Sequence, residues 1–274
     1  MQFHTFLIML LKLFLGWADT MRPNLRERMI TMKAVQWSFQ RIEEKYLLTN
    51  QQYDRLRAAL NERIEPDEYP KSTICNIYYD TSDYLLIRRS MDKPLYKEKF
   101  RLRSYGVPAP GSPAFMEIKK KYNGIVYKRR VQTETRQAEC YMINGTEPEV
   151  NDRQIFHEIQ WFRRNYDLMP RVFLAYDRLA FKCVEDPELR ITFDRRIRYR
   201  TEDLSLEAGD HGTLLLPEDQ ILMEIKIPGA APVWLSHILS ELEIFPVSFS
   251  KYGKSYQKIM EEQKTEVTYR AKSA

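Results

Sequence analysis

From Trp37 to Tyr252 the chain repeatedly alternates polar and apolar residues in short runs. That two-residue period belongs to strands with one wet and one buried face. It is clearest at Lys97–Arg103, where Lys97, Lys99, Arg101 and Arg103 share one face and Glu98, Phe100 and Leu102 the other. A helical period would scatter the four cations around an axis. The alternation recurs with Arg41, Glu43 and Lys45 in a first strand, Trp37–Leu48, and with Glu117 and Lys119 after Phe115. It returns with Tyr176 and Arg178 within Pro170–Phe181, and with Arg190, Thr192 and Asp194 within Glu188–Arg200. Glu224 and Lys226 continue it within Gln220–Ile227, and Thr73–Tyr79 reads as a further strand. Asn123-Gly124 is a two-residue hairpin signal. A tight turn there sets Tyr122 against Ile125, Lys119 opposite Lys128 and Glu117 opposite Arg130. Helices are predicted over Gln51–Asn61 after a Thr49-Asn50 cap, Thr133–Ile143, Asn151 or Asp152 to Tyr166, Pro232–Leu242, and from Ser250–Gly253 to about Gln263.

A single strand with a row of lysines is often a solvated edge. Six strands with charged faces need a common destination. A closed antiparallel β-barrel of about eight strands supplies one, with charged faces inward and apolar faces packed on helices outside. The expected class is therefore α+β, with a basic lumen. Lys119 opposite Lys128 is unfavourable unless an anion lies between them. A basic tunnel suits a chain of phosphates, and carboxylates among the cations suit a divalent metal shared with phosphate oxygens.

Composition adds bounds. The 274 residues carry 30% charged side chains but a net charge of only +5, so the cations matter through where they gather. The three cysteines, Cys75, Cys140 and Cys183, have no metal-type spacing and fit packing residues in a reducing compartment. There is no Gly-rich nucleotide loop and no Ser/His/Asp array. His157, alone on its helix, reads as packing or surface, and Asp80 as a turn-former. Arg196 and Arg198 continue the parity of Arg190 near a strand end. Residues 1–34 read as an extension, apolar over Phe3–Trp17 and polar after it, that is either dispensable (Met32 offers a second start) or a membrane-surface helix. Residues 35–263 form the folded domain, and 264–274 a disordered tail.

Taken in order, several segments carry a resemblance: Arg41-x-Glu43-x-Lys45, Lys97–Gly106, Met116-Glu117-Ile118-Lys119, Tyr127-Lys128-Arg129-Arg130, Tyr176-x-Arg178, Arg190–Asp194, Met223-Glu224-Ile225-Lys226 and Ser248–Gly253. Together, over about Trp37–Gln263, they resemble a stand-alone bacterial vacuolar transporter chaperone (VTC) domain, of the triphosphate tunnel metalloenzymes alongside the CYTH enzymes. The resemblance implies an ATP-dependent polyphosphate polymerase that transfers the γ-phosphate to a growing chain within the tunnel. By motif, Lys45, Arg101, Arg103, Lys119, Arg178, Arg190 and Lys251 would carry the reaction. Arg41, Lys97, Lys99, Lys128, Arg130, Tyr176, Lys226 and Ser250 would bind substrate. Glu224 is first choice for Mn²⁺ or Mg²⁺, with Glu43 and Glu117 second and Asp194 third. Implied partners are ATP and polyphosphate, with no nucleic acid, and a membrane protein that accepts the product at the inner face of the membrane in a cytoplasmic setting. A tunnel hydrolase of triphosphates and a non-catalytic polyphosphate-binding module remain alternatives. Arg101→Ala or Arg178→Ala is expected to stop turnover yet leave the fold intact, by relieving repulsion among cations.

Overall fold

The computed structural model describes residues 42–123 and 125–273, with side chains described through residue 265. The expectations for residues 1–34, for Arg41 and for a first strand beginning at Trp37 lie outside the described residues. The chain runs β1 (Ile42–Thr49), α1 (Asn50–Ala59), β2 (Ile64–Asp80), α2 (Leu85–Met91), β3 (Tyr96–Tyr105), β4 (Pro113–Tyr122), β5 (Ile125–Glu134), α3 (Thr135–Asn144) and α4 (Arg153–Asn165). It continues with β6 (Met169–Cys183), β7 (Arg190–Arg200), β8 (Thr213–Leu214), β9 (Gln220–Ile227), α5 (Val233–Glu241) and α6 (Lys251–Ser273). The last helix thus passes the boundary expected near Gln263.

All strands are antiparallel in the order β1-β9-β7-β6-β2-β3-β4-β5, with the short β8 beside β7. Local chemistry explains the joints. Thr49 caps α1 reciprocally with Gln52, the capping-box exchange. Asp152 caps α4 by accepting from Ile155 N. The hairpin register is as the Asn123-Gly124 signal predicts: Tyr122 faces Ile125, Lys119 faces Lys128 and Glu117 faces Arg130.

Three expectations are corrected. The strand expected at Thr73–Tyr79 begins at Ile64 and takes in Pro66 and Pro70. A proline cannot donate to a ladder, and the register slips between Pro66 and Lys71 to pass over the gap. Second, Arg196 adopts a left-handed φ of 47° where the β6–β7 register shifts between Ala175 and Asp177. The bulge reverses the parity, so Arg198 leaves the charged face and meets Asp177 and Asp210 instead.

Third, the barrel is not closed. The hydrogen-bonded path starts at β1 and ends at β5 without returning. The free edge of β1 is already taken: Val247 N donates to Lys45 O at 2.7 Å, and Tyr46 bridges Pro246. That contact sits at the middle of the edge on which β5 would have to pair. The sheet nevertheless curls far enough for Lys119 on β4 to reach Glu43 on β1 at 3.4 Å. The charged face is its concave side.

Apolar side chains fill the other side. Phe100, Leu102, Met116, Ile118 and Phe173 pack under Tyr141, Phe156 and Phe162 of α3 and α4. Tyr46, Leu48, Ile191, Met223 and Ile225 pack under α1 and α5. A third cluster lies on the concave side itself, where Tyr78, Leu174, Tyr176 and Leu222 pack against Ile87 of α2 and Tyr252 and Ile259 of α6.

Candidate functional site on the concave face

The register places the charged residues strand by strand. Glu43 lies beside Lys226, and Lys45 beside Glu224. Thr192 faces Glu224, and Asp194 faces Arg178. Arg101 lies beside Tyr78 on one side and Glu117 on the other, and Arg103 beside Asn76.

Three carboxylate centres organise these cations. Glu117, 1% exposed, meets Arg101 at 2.7 Å, Lys128 at 2.8 Å and Arg103 at 3.9 Å. Asp194, fully buried, takes a two-point fork from Arg178: Nε donates to Oδ1 at 2.6 Å and Nη2 to Oδ2 at 2.8 Å. Lys251, from the first turn of α6, meets the same carboxylate at 2.6 Å. Glu224 lies 3.6 Å from both Lys45 and Lys226. Burial alone would raise these three carboxyl pKa values. The neighbouring Arg and Lys charges outweigh it and hold all three below the ordinary carboxylate value.

Side chains from distant strands also join across the face. Arg103 donates to Asn76 Oδ1 at 2.8 Å and to the Tyr176 hydroxyl at 3.2 Å. Arg101 donates to the Tyr78 hydroxyl at 2.9 Å. Lys99 donates to Ser250 Oγ at 3.0 Å, tying β3 to the start of α6. Asp80 anchors the two helices that pack on this side of the sheet. Its carboxylate accepts from Leu86 N, Ile87 N and the Tyr252 hydroxyl, which is the turn-building role its sequence suggests.

The field here is strongly positive. Burial would raise the pKa of the Tyr78 and Tyr176 hydroxyls, yet both are lowered, Tyr78 chiefly by Arg101 and Tyr176 by Arg103, Arg178 and Lys251. Lys99 and Lys128 are pushed down to about 8, first by loss of water; other cations add to the shift at Lys99, and at Lys128 Arg101 and Arg103 lower it further while Glu117 partly offsets it.

The residues singled out from the sequence therefore fall into groups. Lys45, Lys99, Arg101, Arg103, Lys119, Lys128, Tyr176, Arg178, Lys226, Ser250, Lys251, Glu43, Glu117 and Glu224 meet on the concave face through the contacts above. Lys97 shares the face and parity but reaches the Ser90 carbonyl at 3.3 Å. Arg190 turns to Asp67 at the rim, 3.3 Å away. Arg130 is exposed and stacks over Phe115. Tyr78, Asn76 and Thr192 were not singled out. The first two share the even parity of Thr73–Tyr79, a face the sequence reading did not follow.

Could this face hold a divalent ion? Among the described residues no group of three or more His, Cys, Asp or Glu side chains is gathered for a metal. Both Glu117 oxygens are engaged by cations. Glu43 and Glu224 also meet cations through both oxygens, Lys45, Lys119 and Lys226, but only lysines and at the longer distances of 3.2 to 3.6 Å. Opposite Glu224, the buried Thr192 hydroxyl has no hydrogen-bond partner. Two carboxylates beside an unpartnered hydroxyl form an oxygen-only set. That suits Mg²⁺ or Mn²⁺ completed by phosphate oxygens and water, and does not suit zinc.

Comparison with solved structures gives a candidate adenylate cyclase of Bacillus halodurans, at 15% identity over 76% of this chain and 92% of that one, with a TM-score of 0.47. A candidate adenylyl cyclase of Hippeastrum with a dominant triphosphatase activity matches at 14% identity over 77% of this chain and 93% of that one, with a TM-score of 0.42. Comparison with curated protein sequences gives no match. The VTC domain family matches residues 40–260, the span that contains the whole charged face, and the chain belongs to that family.

Proposed function

We propose that the concave face binds a linear phosphate chain and that the protein is an ATP-dependent polyphosphate polymerase. One observation carries the reading. The cations on this face outnumber its carboxylates, and those carboxylates are already bound to Arg or Lys. The surplus charge, at Lys99, Lys119, Lys128 and Lys226 above all, has no sufficient counter-charge among the described residues, and an extended polyanion supplies one. Arg101, Arg103 and Arg178 present planar forks, and the lysines point charges, to phosphate oxygens.

The same pairing bears on the reaction. A carboxylate held below its ordinary pKa is a weak general base. Hydrolysis needs a base, or an ion, to activate water. A terminal phosphate oxygen is already ionised and needs none. It attacks the γ-phosphorus as the bond to the β-phosphate oxygen breaks, and ADP leaves with the electron pair. Lys251, Arg178 and Arg101 steady the charge that moves onto the equatorial and leaving oxygens. Glu224 and Glu43 would hold Mn²⁺ or Mg²⁺, which when bound supplies further neutralisation of the phosphates.

The test is incubation of the purified chain with ATP and Mn²⁺, with products resolved by gel and ADP and phosphate measured. Long acid-labile chains with one ADP per residue added support polymerisation. Free phosphate in place of chains would assign a hydrolase. Tight polyphosphate binding without ATP turnover would assign a binding module.

A further inference from the structure

One end of the sheet is built unlike the rest. Six large apolar or aromatic side chains lie at it exposed, from Ile125 at 39% to Leu95 at 62%, with Tyr96, Tyr122, Val126 and Tyr127 between. Pairing gathers them into one tip. Tyr96 faces Tyr122, which faces Ile125. Lys97 faces Lys121, which faces Val126. Asn123 N donates to Leu95 O at 2.9 Å, closing the start of β3 onto the β4–β5 turn. Isolated exposed hydrophobics need no explanation, but a contiguous group of this size does.

The charges at the tip have one sign. Residues 93–97 and 120–127 contain Lys93, Lys97, Lys120 and Lys121 and no Asp or Glu. The nearest carboxylates in sequence are Asp92, just before this segment, and Glu98, which is buried and engaged by the hydroxyls of Tyr96 and Tyr166. The lysines are close enough that Lys121, Lys93 and Lys119 add to burial in lowering the Lys97 pKa.

We propose that this tip is a docking surface for an anionic lipid bilayer. Tyrosines with an apolar body and a polar end, flanked by lysines whose stems run along apolar surface, are the side chains that partition to the headgroup level of a membrane. Lysines near such a surface are attracted by anionic headgroups. Charge also decides against a second copy of the chain, because a symmetric contact would press Lys97 and Lys121 against their own equivalents. No helix among the described residues is long and apolar enough to cross a membrane. Because Lys97 and Lys99 share the face of Arg101, the charged surface runs out at the docked end.

The test is flotation of the full chain with vesicles of phosphatidylcholine alone and of phosphatidylcholine mixed with phosphatidylglycerol, together with hydrogen exchange. Binding is expected on the anionic vesicles only, weakening with salt. It should fall about tenfold in Tyr122→Ser/Ile125→Ser, as expected when two interfacial anchors are lost. Amides within 120–127 should exchange more slowly when anionic vesicles are added to the unmodified chain. That readout distinguishes the tip from the apolar stretch Phe3–Trp17, and it does not depend on the variant folding. Absence of binding, or binding without slower exchange at 120–127, overturns the proposal. So does slowing that appears on raising the protein concentration without lipid, which would assign the tip to a protein contact.

Discussion

Arg101 and Arg178 have two tasks, and the second one changes what their removal does. Each is a hydrogen-bonded counterion of a buried carboxylate, Glu117 and Asp194 respectively. Arg178→Ala is therefore expected to destabilise the fold by about 3 kcal/mol, the scale for breaking a buried ion pair, besides abolishing turnover. Urea denaturation checks this, and it reverses the expectation from sequence that deleting one crowded cation relieves strain. Lys99 is the opposite case. Its contact is a hydroxyl, and burial holds its pKa near 8. Lys99→Met should raise the stability of the ligand-free protein while weakening triphosphate binding, seen as a higher Tm and a larger Kd. The sign of the pH response follows. Between about 8 and the ordinary 10.5 the folded chain holds fewer protons on Lys99 and Lys128 than the unfolded chain does, so ligand-free stability rises across that window. Triphosphate affinity should fall as pH climbs beyond about 8, because those two charges are lost. Calorimetry in buffers of different ionisation enthalpy should detect proton uptake on binding there.

At the scale of elements, parity within a strand was readable from the chain, and its failures have local causes. Lys97 to Arg103, the Asn123-Gly124 hairpin and Glu224 with Lys226 fall as alternation requires, since one buried face leaves no other register. The reversal at Arg196 was not readable. A left-handed residue that is not glycine leaves no mark in composition, and Arg198 is carried to the opposite face by geometry alone. The anchoring of α6 was hidden for another reason. Asp80 and Tyr252 lie 172 positions apart, yet their hydrogen bond fixes the turn that presents Ser250 and Lys251. Tyr252 also stacks on Tyr78, with ring centroids 4.5 Å apart. Tyr252→Phe keeps the stack and removes the hydrogen bond. It should cost about 1 kcal/mol of stability and lower kcat more than it raises KM, because Lys251 loses its fixed approach to Asp194.

For the molecule as a whole, alternation showed that charged faces must share an interior, and said nothing of whether the sheet closes on itself. Closure depends on what occupies each edge, and β1 is covered by a segment two hundred positions away. The metal reading belongs to this scale too, since Glu43 and Glu224 come from opposite ends of the chain. Glu224→Gln should shift the Mn²⁺ activation curve to higher concentration, while leaving polyphosphate binding without metal the same or slightly tighter, since one negative charge is gone. An unchanged Mn²⁺ curve would move the ion elsewhere.

The Pro246–Val247 seal on β1 has a further consequence. Its partner strand is made early in synthesis and the seal late, so a nascent or clipped chain lacking residues beyond 245 would expose a bare row of amides and carbonyls beside Tyr46. Such a row recruits foreign strands. Proteolysis near the C-terminus should thus convert a well-behaved protein into one that assembles into fibrous precipitate, whatever becomes of its catalysis.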